Sequence, residues 1–273
     1  MAIICGHDDE YVRLWNAHSG TWLSGLMHSH RRAVRSVSLS WSGKTILTSG
    51  DDVVHKLIDT RTFEVWGEIE GKNDYLCVKS CISPDDRYIA TGAFCEVNIW
   101  EMATGKLIRR LKEYPYVCLK ANALHYVLAR MAILCGHDDE YVRLWNAHSG
   151  TWLSGLMHGH RRAVRSVSLS WSGKTILTSG DDVVHKLIDT RTFEVWGEIE
   201  GKNDYLCVKS CISPDDRYIA TGAFCEVNIW EMATGKLIRR LKEYPYVVKC
   251  CCWSDVGQRL TTLDTKGNIC LWT

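Results

Sequence analysis

Residues 1 to 117 recur as residues 131 to 247 with two changes, Ile4 to Leu134 and Ser29 to Gly159, so whatever the first stretch folds into is built twice in this chain. A repeat of fixed period constrains architecture ahead of any single motif, because each unit buries its apolar side against the next. Inside each copy runs a shorter period of roughly 40 residues, the size of a repeat unit of a few short strands. In the first copy it is marked by Leu14-Trp15-Asn16, Leu57-Ile58-Asp59 and Ile99-Trp100-Glu101.

One unit can be followed through residues 161 to 201. Ala163 to Ser170 is rich in Val and Leu and ends in the turn Trp171-Ser172-Gly173; Thr175 to Gly180 is a second run, ended by Asp181-Asp182. Val183 to Asp189 is a third, Thr190-Arg191-Thr192 turns again, and Phe193 to Ile199 is a fourth before Glu200-Gly201. Four short β-prone runs with polar turns predict an antiparallel meander. Residues 203 to 243 repeat the scheme with Tyr205 to Ile212, Tyr218 to Gly222, Glu226 to Trp230 and Leu237 to Leu241. Pro214 and Gly235 fall in its turns, where a missing donor or a positive φ does no harm.

With 46% hydrophobic and 24% charged residues, the chain has the apolar surface for a substantial core. Its 33 Lys and Arg against 32 Asp and Glu leave a formal charge of +1, which makes nucleic acid an unfavoured main partner. No run approaches the about 18 apolar residues of a membrane span, and Met1 to Gly6 leads straight into His7-Asp8-Asp9-Glu10. Neither a span nor a signal peptide is expected, and a soluble protein of the cytoplasm or nucleus is. The 13 cysteines lie in apolar runs such as Val248 to Trp253, at no framework-like spacing, which suits a reducing compartment. Cys77 and Cys81, with their copies Cys207 and Cys211, share a strand face but lack a second pair at zinc-ligand spacing; they read as buried thiols.

At Gly159-His160, Thr178-Ser179, Asp182 and Leu187-Ile188-Asp189 the chain resembles the WD-repeat (tryptophan-aspartate, transducin-beta-like) β-propeller family. The unit of that family carries Gly-His at its start, a small hydroxyl residue in the second strand, an Asp in the next turn, and Trp-Asp closing the third strand. Ile188 stands where the family has tryptophan, so the hydrogen-bonded tetrad of this unit is incomplete. The tryptophan is kept as Trp15, Trp100, Trp145, Trp230 and Trp272, and the His–Asp pair as His30 with Asp52 and His160 with Asp182, while Phe94 and Phe224 take the place of the turn Asp.

The resemblance covers nearly the whole chain. It implies an all-β, seven-bladed WD-repeat-like β-propeller forming one domain over residues 1–273, with incomplete first and last blades. The units are a partial blade 1 (2 to 28), blade 2 (31 to 70), blade 3 (73 to 113), blade 4 (116 to 158), blade 5 (161 to 200), blade 6 (203 to 243) and a partial blade 7 (247 to 273). Cys118 to Arg130 joins the copies and is expected to supply the inner strand of blade 4. The first unit lacks an inner strand and the last, ending at Trp272-Thr273, an outer one. A fragment, an erroneous duplication, or an imperfectly sealed ring is the corresponding expectation.

His160, Ser179 and Asp182 raise the question of a hydrolytic triad, but the resemblance implies a buried structural network, and no nucleophile elbow, phosphate loop or metalloprotease helix is present. His7-Asp8-Asp9-Glu10 and its copy His137-Asp138-Asp139-Glu140 suggest a divalent-ion site; the preferred reading is a solvated turn, with Asp9 and Asp139 in the tetrad position. No enzyme, cofactor or metal is expected. Arg31, Arg32 and Arg35, with Arg161, Arg162 and Arg165, lead into the inner strand of blades 2 and 5, where guanidinium forks suit carboxylates or phosphates. Tyr114, Pro115 and Tyr116, and again Tyr244, Pro245 and Tyr246, fall on the same rim. Arg and Tyr are enriched at interface hot spots, and the alternative is that the tyrosines pack between blades. The family implies a scaffold or adaptor for other proteins or peptides, acidic or phosphorylated ones included. A duplication product without independent function is the alternative.

Overall fold

The computed structural model describes residues 2–23, 30–71, 79–93, 96–112, 121–127, 132–153, 159–201, 209–242, 244–254 and 259–272, and all regular structure in them is β. The chain divides into two compact units, Met1–Ile133 with Asn146–Thr151, and Leu134–Trp145 with Trp152–Thr273. In chain order, β1 (Ala2–Gly6) pairs with β2 (Val12–Asn16). A four-stranded sheet follows, ordered β3 (Val34–Leu39), β4 (Thr45–Gly50), β5 (Val54–Asp59), β6 (Val65–Glu70). A second runs through β7 (Lys79–Ile82), β8 (Tyr88–Ala93), β9 (Glu96–Glu101) and β10 (Leu107–Lys112). Next comes a three-stranded sheet of β11 (Ala121–Val127), β12 (Ala132–His137) and β13 (Val142–Asn146); β11 lies inside the segment expected to supply a strand.

The second copy gives β14 (Val164–Leu169), β15 (Thr175–Gly180), β16 (Val184–Asp189), β17 (Val195–Glu200), then β18 (Ser210–Ile212), β19 (Tyr218–Ala223), β20 (Glu226–Glu231), β21 (Leu237–Leu241). The last sheet holds β22 (Val248–Trp253), β23 (Leu260–Asp264) and β24 (Ile269–Trp272). Within each sheet, strands adjacent in sequence are adjacent in space and pair antiparallel, which is the blade of a β-propeller.

Burial explains the composition of each strand. In β4 all six residues, Thr45-Ile46-Leu47-Thr48-Ser49-Gly50, are buried, because sheets pack on both of its faces. Ile46 and Ile58 point into an apolar layer with Val12, Leu14 and Val34, while Leu47 and Leu57 point the other way, to Ile69, Ile82, Ile89 and Trp100. The period of two thus sends alternate side chains into two different layers. The outer strand β6 alternates exposed and part-buried residues instead, as a sheet with one wet face does. Unit two repeats this around Leu177, Leu187, Ile212 and Trp230.

Polar stitches join neighbouring sheets within a unit. The backbone N–H groups of Trp41 and Ser42 donate to the Asp86 carboxylate at 2.9 and 3.2 Å, and those of Trp171 and Ser172 to Asp216 at 3.1 and 3.3 Å. Deeper in the seam, Ser49 Oγ donates to Ser80 Oγ at 2.7 Å and meets His55 Nδ1 at 2.8 Å.

Candidate functional site

The rim ahead of β3 is built on a buried three-residue network. His30 sits four residues before Val34; its Nδ1 meets Asp52 Oδ1 at 2.9 Å and its Nε2 meets Thr48 Oγ1 at 2.9 Å. Asp52 Oδ2 in turn accepts the backbone N–H of Arg31 at 2.7 Å, so the β4–β5 turn pins the start of the arginine segment. His160, Asp182, Thr178 and Arg161 reproduce each distance. Gly50 is required here, since a Cβ would lie 2.7 Å from His30 Nδ1. Burial pushes the Asp52 carboxyl up, but the Arg31 N–H and His30 outweigh it and hold it below the usual carboxylate range. Ser179 does not join this network: it points to the opposite face of β15 and meets His185, so the three residues of the supposed triad never converge.

The expected tryptophan site is filled by Ile58, fully buried in the apolar layer. In the next sheet the complement is found. Trp100 Nε1 donates to Thr91 Oγ1 at 2.9 Å, and Trp230 to Thr221 at 3.0 Å. Phe224, at the place of the turn Asp, is exposed; Phe94 lies outside the described residues. In the first sheet Asp9 is held by both terminal nitrogens of Arg13 rather than by a histidine, and Asp139 by Arg143. Trp15 Nε1 is buried without a hydrogen-bond partner, because the register places Cys5 where Thr91 stands opposite Asn98.

The last sheet holds a substitution the sequence did not flag. Tyr244, four residues before Val248, takes the place of the histidine: its hydroxyl meets Thr262 Oγ1 at 2.5 Å and accepts the Trp272 Nε1–H at 2.5 Å. Burial pushes this phenol up to about 12. Tyr244 is therefore a packing residue, the alternative weighed for the rim tyrosines. Tyr246 is exposed and carries the Lys266 ammonium over its ring; Tyr114, Pro115 and Tyr116 lie outside the described residues.

The rim arginines fall into two kinds. Arg35 directs Nε to Asp51 at 2.6 Å and Nη1 to Asp8 at 2.8 Å, and Arg165 does the same with Asp181 and Asp138, so these forks join neighbouring sheets. Arg31, Arg32, Arg161 and Arg162 are exposed, and among the described residues their side chains make no ion pair. The acidic turns supply carboxylates to Arg13, Arg35, Arg143 and Arg165; among the described residues no group of three or more His, Cys, Asp or Glu is placed to hold a metal ion. Among the described residues nine cysteines are present and none forms a disulfide; Cys211 Sγ lies 3.6 Å from Cys251 Sγ. Cys77 and Cys207 lie outside the described residues. Among the described residues no helix is long and apolar enough to cross a membrane.

Comparison with known proteins agrees with this geometry. The model of the WD domain, G-beta repeat, matches residues 150–185. Autophagy-related protein 16 of Arabidopsis thaliana is 30% identical over 276 residues, covering 99% of this chain and 53% of that protein. Protein tipD of Dictyostelium discoideum is 26% identical over 279 residues (98% and 44%), and pre-mRNA-processing factor 17 of Mus musculus 22% over 280 residues (100% and 48%). The chain spans about half the length of these curated relatives.

Proposed function

From the premise that this chain belongs to the WD-repeat family, we propose that it is a non-catalytic, seven-bladed propeller scaffold mediating protein–protein contacts in a multiprotein complex. The relatives that match it along its length include an autophagy-related protein and a pre-mRNA-processing factor, and both carry the matched region as one part of a longer chain. The observation that carries the reading is the exposed pair Arg31–Arg32, without an ion pair among the described residues and set on backbone pinned by Asp52, and repeated as Arg161–Arg162. A surface ordered at folding loses little further entropy on binding. Two such pairs suit two copies of one partner, or one two-fold partner, with a gain from effective concentration.

A second reading, recognition of acidic or phosphorylated peptides, follows from the same forks, which take carboxylates and phosphates bidentately. It predicts binding that weakens with added salt. Thiols outside disulfides at the nine described cysteines favour a reducing, intracellular location in cytoplasm or nucleus.

Quantitative affinity capture with the wild type, Arg31→Glu/Arg32→Glu, Arg161→Glu/Arg162→Glu and the fourfold variant tests the proposal. Loss of half the bound partner in each double variant, and of all of it in the fourfold one, is expected; equal capture by all four proteins overturns the rim assignment. A chain without a cooperative unfolding transition would instead be a duplication product or propeller fragment without independent function.

A further inference from the structure

The outer strand β21 and its flanks read Lys236-Leu237-Ile238-Arg239-Arg240-Leu241-Lys242, four cations and no acid in seven residues. Lys236, Ile238, Arg239, Arg240 and Lys242 are exposed, Ile238 by 51%, and among the described residues the four cations make no ion pair. The acids that end the partner strand β20 do not pair with them among the described residues: Glu231 accepts the Thr234 hydroxyl at 2.6 Å, and Glu226 forms no ion pair there. A register shift between Ile229 and Trp230 inserts Ile238 as an extra residue, and Ile238, Arg239 and Arg240 are exposed in succession. β21 ends its sheet, so one row of its backbone N–H and C=O groups points away from β20.

The first copy shows what such an arginine does when a carbonyl is near. Arg109, the counterpart of Arg239, directs Nη1 to the Ser149 carbonyl oxygen at 2.8 Å, with its stem packed on Gly150. That guanidinium is occupied; Arg239, in the same seven-residue sequence, has no such neighbour among the described residues and is fully presented. Cations along an edge repel a second copy of the same edge, and so select an oppositely charged strand.

We propose that the free edge of β21 is a docking site for an extended acidic segment of a partner protein, which adds to the sheet as a further strand. Its backbone would bond the open row while its alternate carboxylates meet Arg239, Arg240 and the flanking lysines. The inference rests on the scaffold reading but on a different surface from Arg31 and Arg32.

The test uses a fluorescein-labelled peptide of alternating Glu and Val, titrated with the full chain by fluorescence polarisation. Binding is expected, weakened about tenfold or more by Arg239→Glu/Arg240→Glu, less by Arg239→Gln/Arg240→Gln, which keeps the fold, and unchanged by Arg110→Glu in the first copy. N-methylation of alternate peptide amides should abolish it, because strand addition needs those donors. The proposal is overturned if the peptide does not bind, if Arg110→Glu and Arg240→Glu weaken it equally, if the N-methylated peptide binds as well, or if single-stranded DNA or phosphatidylserine vesicles displace it at lower concentration. Retained partner capture through Arg31 and Arg32 alongside a failed peptide titration would condemn this edge alone; failure of both would condemn the scaffold reading.

Discussion

The sheet of β3–β6 and its neighbour β7–β10 have the same meander but opposite halves of one polar network. The first has His30, Asp52 and Thr48 and an isoleucine at the indole site; the second has no histidine of its own and bonds Thr91 to Trp100, whose ring lies 6.3 Å from that of His55 on β5. Either half suffices because the fold needs each buried polar group satisfied, and needs the apolar layer filled, but does not need one particular set of atoms to do it. The last sheet makes the point a third way, with the Tyr244 hydroxyl bridging Thr262 and Trp272. The difference has a consequence in solution: titratable imidazoles lie only on the β3–β6 side of this comparison.

Acid should therefore break the two sheets apart. Burial pushes His55 and His185 down to about 4, with the neighbouring histidine adding to the effect. Between the unfolded value near 6.5 and that folded value, the unfolded chain binds a proton that the folded chain does not. Stability is thus flat above pH 6.5 and falls by on the order of 1 kcal/mol per pH unit per histidine down to about pH 4. Asp52 and Asp182, held below their usual range, contribute stability above pH 3.8 that is lost as the pH falls further. Hydrogen exchange should show β3–β6 and β14–β17 opening before β7–β10 as the pH is lowered; simultaneous opening would refute the contrast.

Removing the histidine is the next largest effect. His30→Ala leaves the Asp52 carboxylate and Thr48 hydroxyl buried with one partner fewer, and should cost about 3 kcal/mol in urea unfolding. Thr91→Val, which keeps shape and strands only the Trp100 N–H, should cost about 1 kcal/mol. A Thr91→Val loss equal to that of His30→Ala would mean that the two halves are equivalent. The smallest effect lies in the turn that aims Asp52. Val53 has φ 62°, a left-handed conformation that β-branched residues resist, so Val53→Asn should raise stability by about 0.5 kcal/mol. A lower unfolding midpoint would show that the Val53 side chain contributes more than its strain costs.

Much of this was legible in the order of residues. The second to fourth strands of the 161 to 201 unit were placed within a few residues of their ends, because Ser, Gly and Asp-rich turns punctuate apolar runs and each strand is set by its immediate neighbours. Trp100 and Trp230 donate to Thr91 and Thr221 from the neighbouring strand. For Tyr244 the sequence left a rim role and packing between blades both open, because a tyrosine next to a proline looks the same in sequence whether it is buried or presented. Its four-residue offset from Val248, the same as that of His30 from Val34, was the signal that could have found it.

What the chain determined by itself is the blade: strand length, turn chemistry, the alternation that feeds two apolar layers, and the doubling of the whole. What only the tertiary structure decided is which polar groups are occupied. Arg109 and Arg239 belong to identical stretches, yet one holds the Ser149 carbonyl and the other stands in solvent; Arg35 is locked by Asp8 and Asp51 while Arg31 is exposed and makes no ion pair among the described residues. Local sequence dictates backbone conformation through short-range sterics and hydrogen bonds, but the partner of a long cationic side chain lies on a different sheet, tens of residues away, and no local pattern carries its position.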